Sequence, residues 1–192
     1  CRIYPWAKNS VGDVNGDGLD DIYACGAKNQ PGTLLLQQSN GTFMQTDSSV
    51  FNKDAASEDV DAIFTDANGD GKLDLYVVSG GNQEEGNTDP ALLDRLYLND
   101  GKGHFIKGIN NLPVLFKNKS CVTAADVDHD GDMDLFVGTL ADPVAYGIPQ
   151  TSYLLINDGK ANFSVAADND KLFKDVGLVT AAAFTDFNND GW

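Results

Sequence analysis

The sequence predicts an all-β protein, a β-propeller of four-stranded blades, with about three complete blades and the start of a fourth in its 192 residues. Three observations carry that prediction. A nine-residue acidic loop recurs four times, short apolar runs flank the loops in a constant order, and the composition favours turns over helices. Of the 29 acids 26 are Asp, and only Glu58, Glu84 and Glu85 are Glu; Asp, Asn and Gly together make about a third of the chain. Glu suits helices, whereas Asp and Asn bond their own backbone and gather at caps, turns and metal loops.

The four loops are Asp13–Asp21, Asp66–Asp74, Asp126–Asp134 and the segment from Asp186, their first residues 53, 60 and 60 apart. Val60–Phe64, Cys121–Ala125 and Val179–Phe184 precede the last three, and Asp21–Ala24, Asp74–Val78 and Asp134–Val137 begin the runs that follow the first three. Further on, Leu34–Phe43, Leu96–Phe105 and Leu154–Phe163 align without gaps: an apolar triplet, a polar turn rich in Asn, Asp and Gly, then a lone Phe. That pattern predicts two strands and a tight turn.

Each unit is thus strand A, the acidic loop, strand B, a variable linker, strand C, a Gly-containing turn and strand D. Units are expected over residues 10–58, 59–118, 119–177 and 178–192, in a single partial domain covering 1–192. A sandwich also uses short strands, but it leaves a four-strand unit with one loop in every copy unexplained; radial repetition accounts for both.

Within the loops, oxygen-bearing side chains at positions 1, 3 and 5 with Gly at 6 match the first half of an EF-hand. The second half differs: position 12 holds Ala24, Val77 and Val137 instead of Glu, and the last carboxylate stands at position 9. Strands flank the loop, so it is read as a β-hairpin calcium loop. The expected side-chain ligands are Asp13, Asn15, Asp17 and Asp21; Asp66, Asn68, Asp70 and Asp74; Asp126, Asp128, Asp130 and Asp134. The carbonyls of Leu19, Lys72 and Asp132, at position 7, are expected to add one oxygen each. Asp186, Asn188 and Asp190 begin a fourth, incomplete site. Oxygen-only donors without Cys or His suit Ca²⁺ rather than zinc or copper, and a flexible carboxylate cage suits it better than Mg²⁺.

The formal net charge is −16, and 14 of the 26 Asp lie in the four loops. Three divalent ions supply six positive charges and would bring −16 to −10. So acidic a chain does not suit nucleic-acid binding, which needs Lys and Arg against phosphates, nor an anionic membrane surface. The longest nearly apolar run, Leu178–Phe184, is too short to span a bilayer. At 42% hydrophobic the chain has enough apolar mass for a core. Cys1, Cys25 and Cys121 form no metal or disulfide pattern; Cys25 and Cys121 border apolar runs and are expected in the core.

The acidic loops followed by Leu75-Tyr76-Val77, together with the phrase Leu96-Tyr97-Leu98-Asn99-Asp100-Gly101-Lys102-Gly103-His104-Phe105, resemble FG-GAP/VCBS repeats, which build the integrin-α-like propeller. The hairpin phrase is most similar to secreted bacterial VCBS-repeat and cartilage-acidic-protein-like proteins. The resemblance spans roughly residues 11–192 but lacks the Phe-Gly and Gly-Ala-Pro signatures of integrin repeats. It implies calcium in the A–B loops and, usually, seven blades, so the chain is expected to be a piece of a longer protein. Open blade edges would then favour self-association, strand A of unit four serving unit one of a neighbour.

If they behave like other extracellular calcium modules, such loops bind at about 10⁻⁴ to 10⁻³ M, an affinity useful only outside the cell, so an extracellular, cell-surface or periplasmic location is expected. The linkers 79–94 and 138–152 fall on the face opposite the acidic loops. There a protein or glycan ligand is expected, with Gln83, Asn87, Tyr146 and Pro149 as contacts. No nucleophile motif accompanies His104 or His129. A non-enzymatic binding module is therefore the reading. The alternative is the propeller domain of a secreted lyase or hydrolase whose catalytic residues lie elsewhere.

Overall fold

The computed structural model describes residues 8–46, 49–81, 88–142, 145 and 147–190. Twelve strands form three separate antiparallel sheets, each taking its strands in chain order. The first holds β1 (Asn9–Gly12), β2 (Asp21–Ala24), β3 (Thr33–Gln37) and β4 (Phe43–Gln45). In the second are β5 (Glu58–Thr65), β6 (Asp74–Gly80), β7 (Arg95–Asn99) and β8 (Phe105–Lys107). The third has β9 (Asn118–Ala125), β10 (Asp134–Ala141), β11 (Tyr153–Asn157) and β12 (Phe163–Val165). These are three blades of a partial propeller.

The register repeats from blade to blade. Gly12 pairs with Asp21, Thr65 with Asp74 and Ala125 with Asp134, closing the three acidic loops on identical hairpin ends. The A strands stand side by side: β1 packs on β5 and β5 on β9. Ser10 Oγ accepts the Phe64 N–H at 2.7 Å, and Asp61 Oδ2 accepts the Val122 N–H at 3.0 Å. A bulge between Asp59 and Asp61 shifts the β5–β6 register.

The core lies in two seams. Val14, Tyr23, Leu34, Phe64, Leu75, Val77 and Tyr97 meet between blades one and two; Tyr76, Val78, Leu96, Val122, Leu135, Val137 and Leu155 meet between two and three. Strand β6 sends Leu75 and Val77 to one seam and Tyr76 and Val78 to the other, which is why its sequence is unbroken by polar alternation. Two short helices, α1 (Ser49–Asn52) and α2 (Asn169–Phe173), follow strand D of blades one and three, and Pro90–Leu92 forms a 3₁₀ turn in the linker between β6 and β7. Phe51 of α1 wedges between Tyr23 and Tyr97, ring centroids 5.2 and 5.0 Å away.

One expected strand does not form. Val179–Phe184 carries no ladder, and the described residues contain no strand B to pair with it. It is tethered only at its start, where the Val179 N–H donates to Thr139 O at 3.0 Å and Ser120 Oγ donates to Val179 O at 2.5 Å. Cys121 is buried and Cys25 half-buried, both as free thiols. Among the described residues no helix is long and apolar enough to cross a membrane.

Candidate metal centres

The first loop winds around the carboxylate of Asp13. Its Oδ1 accepts the N–H groups of Gly16 and Asp17 at 2.7 and 3.2 Å, and its Oδ2 that of Gly18 at 2.8 Å. Asn15 Oδ1 accepts the Asp17 N–H at 3.0 Å and Asp17 Oδ1 the Leu19 N–H at 2.9 Å, so positions 3 and 5 are held by successive Asx turns. The second loop repeats every contact: Asp66 accepts from Gly69, Asp70 and Gly71, Asn68 from Asp70, and Asp70 from Lys72, all at 2.8–3.2 Å. Positions 4 and 6 both lie in the left-handed region; Gly69 and Gly71 have φ of 73° and 78°. The requirement at position 4 is new from the structure, since Gly16, Gly69, His129 and Asn189 share no side-chain chemistry.

The position-9 residues stand apart. Asp21, Asp74 and Asp134 are fully buried, and each spends one carboxylate oxygen on the backbone of its loop and the other on strand C. Asp21 accepts from Val14 N and Gln37 N, Asp74 from Ala67 N and Asn99 N, and Asp134 from Val127 N and Asn157 N, all at 2.8–3.1 Å. A carboxylate has about four lone-pair sites, so one such bond per oxygen leaves capacity for a cation. Burial pushes all three above the usual carboxylate range, Asp74 to about 6. The N–H groups pull the other way, and the loop's own carboxylates add to the rise. Half-buried Asp13 moves oppositely: burial is the largest single influence and pulls upward, but the N–H groups of Gly18, Gly16, Asp17 and Asn15 together outweigh it and hold the carboxyl low.

The third loop differs informatively. With His129 instead of Gly at position 4, Asp126 keeps only the Gly131 N–H, on Oδ2 at 3.1 Å; its Oδ1 is buried without a hydrogen-bond partner. Here positions 1, 3 and 5 are all carboxylates, and one oxygen each of Asp126, Asp128 and Asp130 lies within 4.8 Å of the others. A carboxylate with one oxygen buried without a donor, gathered with two more carboxylates, fits a hard, oxygen-seeking cation. The donor chemistry of the other loops fits too, although Lys72 Nζ stands 3.2 Å from Asp70 Oδ2 in the second. In the fourth, Asp186 and Asn188 both accept the Asp190 N–H, at 3.1 and 3.4 Å, and position 6 lies outside the described residues.

Among the described residues of the linkers, several serve the fold. Ser79, Thr139 and Ser152 are fully buried, and Asp94 accepts bonds from Tyr76 Oη at 2.8 Å and Ser79 N at 2.8 Å. Pro149 is exposed; Gln83, Asn87 and Tyr146 lie outside the described residues. Two residues that serve in the sequence only as turn-formers, Asn99 and Asn157, reach from their own blade to the acidic loop of the preceding one.

The FG-GAP-like repeat model matches the chain twice, over residues 13–77 and 66–137, each match running from one acidic loop through the strand B that follows the next. The chain belongs to the FG-GAP-like repeat family. Both matches start on the first aspartate of a loop, Asp13 or Asp66, so the loop is integral to the FG-GAP-like unit and not an insertion in it. No curated protein matches the chain.

Proposed function

We propose that this FG-GAP-like chain is a calcium-binding β-propeller module of the extracellular space that presents a surface to a protein or carbohydrate ligand. The calcium reading is supported above all by Asp126, whose Oδ1 is buried without a partner and whose carboxylate has an oxygen within 4.8 Å of one oxygen each of Asp128 and Asp130. Asp13, Asn15, Asp17 and Asp21, then Asp66, Asn68, Asp70 and Asp74, would hold equivalent ions, with the position-7 carbonyls of Leu19, Lys72 and Asp132 contributing. Asp186, Asn188 and Asp190 would form part of a fourth site. When bound, the ion supplies positive charge that offsets the repulsion among carboxylates gathered in one turn.

The extracellular part is supported by analogy with extracellular calcium modules, which at about 10⁻⁴ to 10⁻³ M fill only where calcium is abundant. A binding role accords with the placement of the histidines. His104 lies exposed in the C–D turn, 3.0 Å from Asp100 Oδ2, and His129 lies within an acidic loop. The ligand would contact the linker face through its exposed part, including Pro149.

Thermal unfolding with and without 10 mM calcium tests the reading, with magnesium as control. Each site filled at ten to a hundred times its dissociation constant adds about 1.4–2.7 kcal/mol. An unchanged melting temperature in calcium would refute it. A glycan array, followed by capture of extracellular proteins, then identifies the ligand.

A further inference from the structure

The acidic loops are not isolated from one another. Val14, at position 2 of the first loop, donates its N–H to Asp21 Oδ2 at 3.1 Å. Its carbonyl accepts Asn99 Nδ2 at 2.8 Å and the Gly103 N–H at 3.1 Å, both from the C–D turn of blade two. Asn99 in turn donates its backbone N–H to Asp74 Oδ1 at 2.8 Å, in the second loop. The step then repeats: Ala67 N–H bonds Asp74 Oδ2 at 3.1 Å, Ala67 O accepts Asn157 Nδ2 at 2.9 Å and Ala161 N–H at 2.8 Å, and Asn157 N–H bonds Asp134 Oδ1 at 2.8 Å. One hydrogen-bonded path therefore runs from Asp21 through Val14, Asn99, Asp74, Ala67 and Asn157 to Asp134. Val14, Ala67, Asn99 and Asn157 are all nearly or fully buried, so water does not compete for these bonds.

Resting on the calcium reading above, we propose that Asn99 and Asn157 are positioning residues that couple the metal loops, so that filling one loop strengthens its neighbour. The physical element is the seating of a C–D turn on the loop of the preceding blade. A fixed Asp21 holds the Val14 peptide by its N–H and presents its carbonyl to Asn99 and Gly103. A seated turn fixes Asn99, whose N–H aims Asp74. Bonds in series within a dry interface polarise and orient one another, and coupling between two sites is reciprocal. Neither asparagine is a ligand, and each touches two loops.

The test is a calcium titration of the full chain followed by hydrogen exchange, reading the protection midpoints of residues 13–21, 66–74 and 126–134 separately. Asn99→Ala should raise the midpoint of 13–21 by about five-fold or more, with a smaller rise at 66–74 and little change at 126–134. Metal-free Asn99→Ala should also exchange the Gly103 amide faster than wild type does. A second variant does not disturb the interior: Asp70→Ala, at an exposed position, removes a second-loop ligand and should raise the midpoints of both flanking loops. Unchanged flanking midpoints in Asp70→Ala, or an unmoved 13–21 midpoint in folded Asn99→Ala, overturn the coupling while leaving calcium binding intact. Absence of protection at every loop of the wild type would overturn calcium binding and the coupling together.

Discussion

Arg95 and Asp59, 36 residues apart and both buried, meet with Nη2 2.7 Å from Oδ1. Asp59 also accepts Tyr23 Oη at 3.0 Å and the Gly26 N–H at 2.9 Å, both from blade one, while Arg95 donates to Ser79 Oγ at 3.0 Å. The pair is thus an ionic clamp inside the first seam. Asp59→Ala leaves a guanidinium buried without its counter-charge and is expected to cost about 3–5 kcal/mol, measured by denaturant unfolding. Replacing both partners by Leu and Met should recover part of that loss, since no orphaned charge remains.

Gly71, at position 6 of the second loop, has φ 78° and no atom within 4 Å of where a Cβ would sit. Gly71→Ala therefore meets only backbone strain, expected to cost about 1–2 kcal/mol. In thermal unfolding the deficit should remain in EDTA, since it belongs to the backbone.

Asp74 links stability to pH. Its folded value, about 6, lies above the ordinary 3.8, so folding favours the protonated form. In the metal-free protein that contribution is complete below about pH 4 and is lost as pH rises through 6. Wild type with EDTA should lose stability between pH 4.5 and 7.5 relative to Asp74→Asn, whose side chain does not titrate. On the proposed calcium reading the metal-bound form should run the other way, because a ligand must be ionised: the expected outcome is a calcium affinity that falls as pH drops through 6.

Phe51 is 3% exposed and touches Tyr23, Tyr97 and Phe105, with a centroid separation of 6.0 Å to the last. Phe51→Ala empties the outer end of the first seam and is expected to cost about 3–5 kcal/mol. Chemical denaturation should show it, with the acidic loops unaltered.

Much of this architecture was legible because it recurs. One copy of Asp-x-Asn/Asp-x-Asp-Gly is a turn; four copies, with apolar runs before the last three and after the first three, place the A–B hairpins, and the aligned segments from Leu34, Leu96 and Leu154 place the C–D hairpins. The local geometry of Asp13 and Asp66 follows from residues a few positions away. What stayed hidden depends on long-range partners. Asp21, Asp74 and Asp134 read as ligands, yet each also pins strand C through Gln37, Asn99 or Asn157, which lie 16 to 25 residues onward. Asn99 reads as a turn residue; its bond to Val14 O joins residues 85 apart. Strand β1 follows from the repeat and not from a run of its own, because Asn9–Gly12 has a single large apolar side chain, Val11. Helix α1, only four residues long, left no periodicity to find.

The two-sided burial of β6 has a thermodynamic consequence. Blades that touch only their neighbours behave as a one-dimensional array, whose free energy is a sum of unit terms and nearest-neighbour terms. Blade two holds two such junctions, and blades one and three hold one each within the described residues. Melting should therefore start at the outer units and reach the middle one last. A void cut at Val77 weakens the first junction alone and one at Val78 the second alone, although the residues are adjacent.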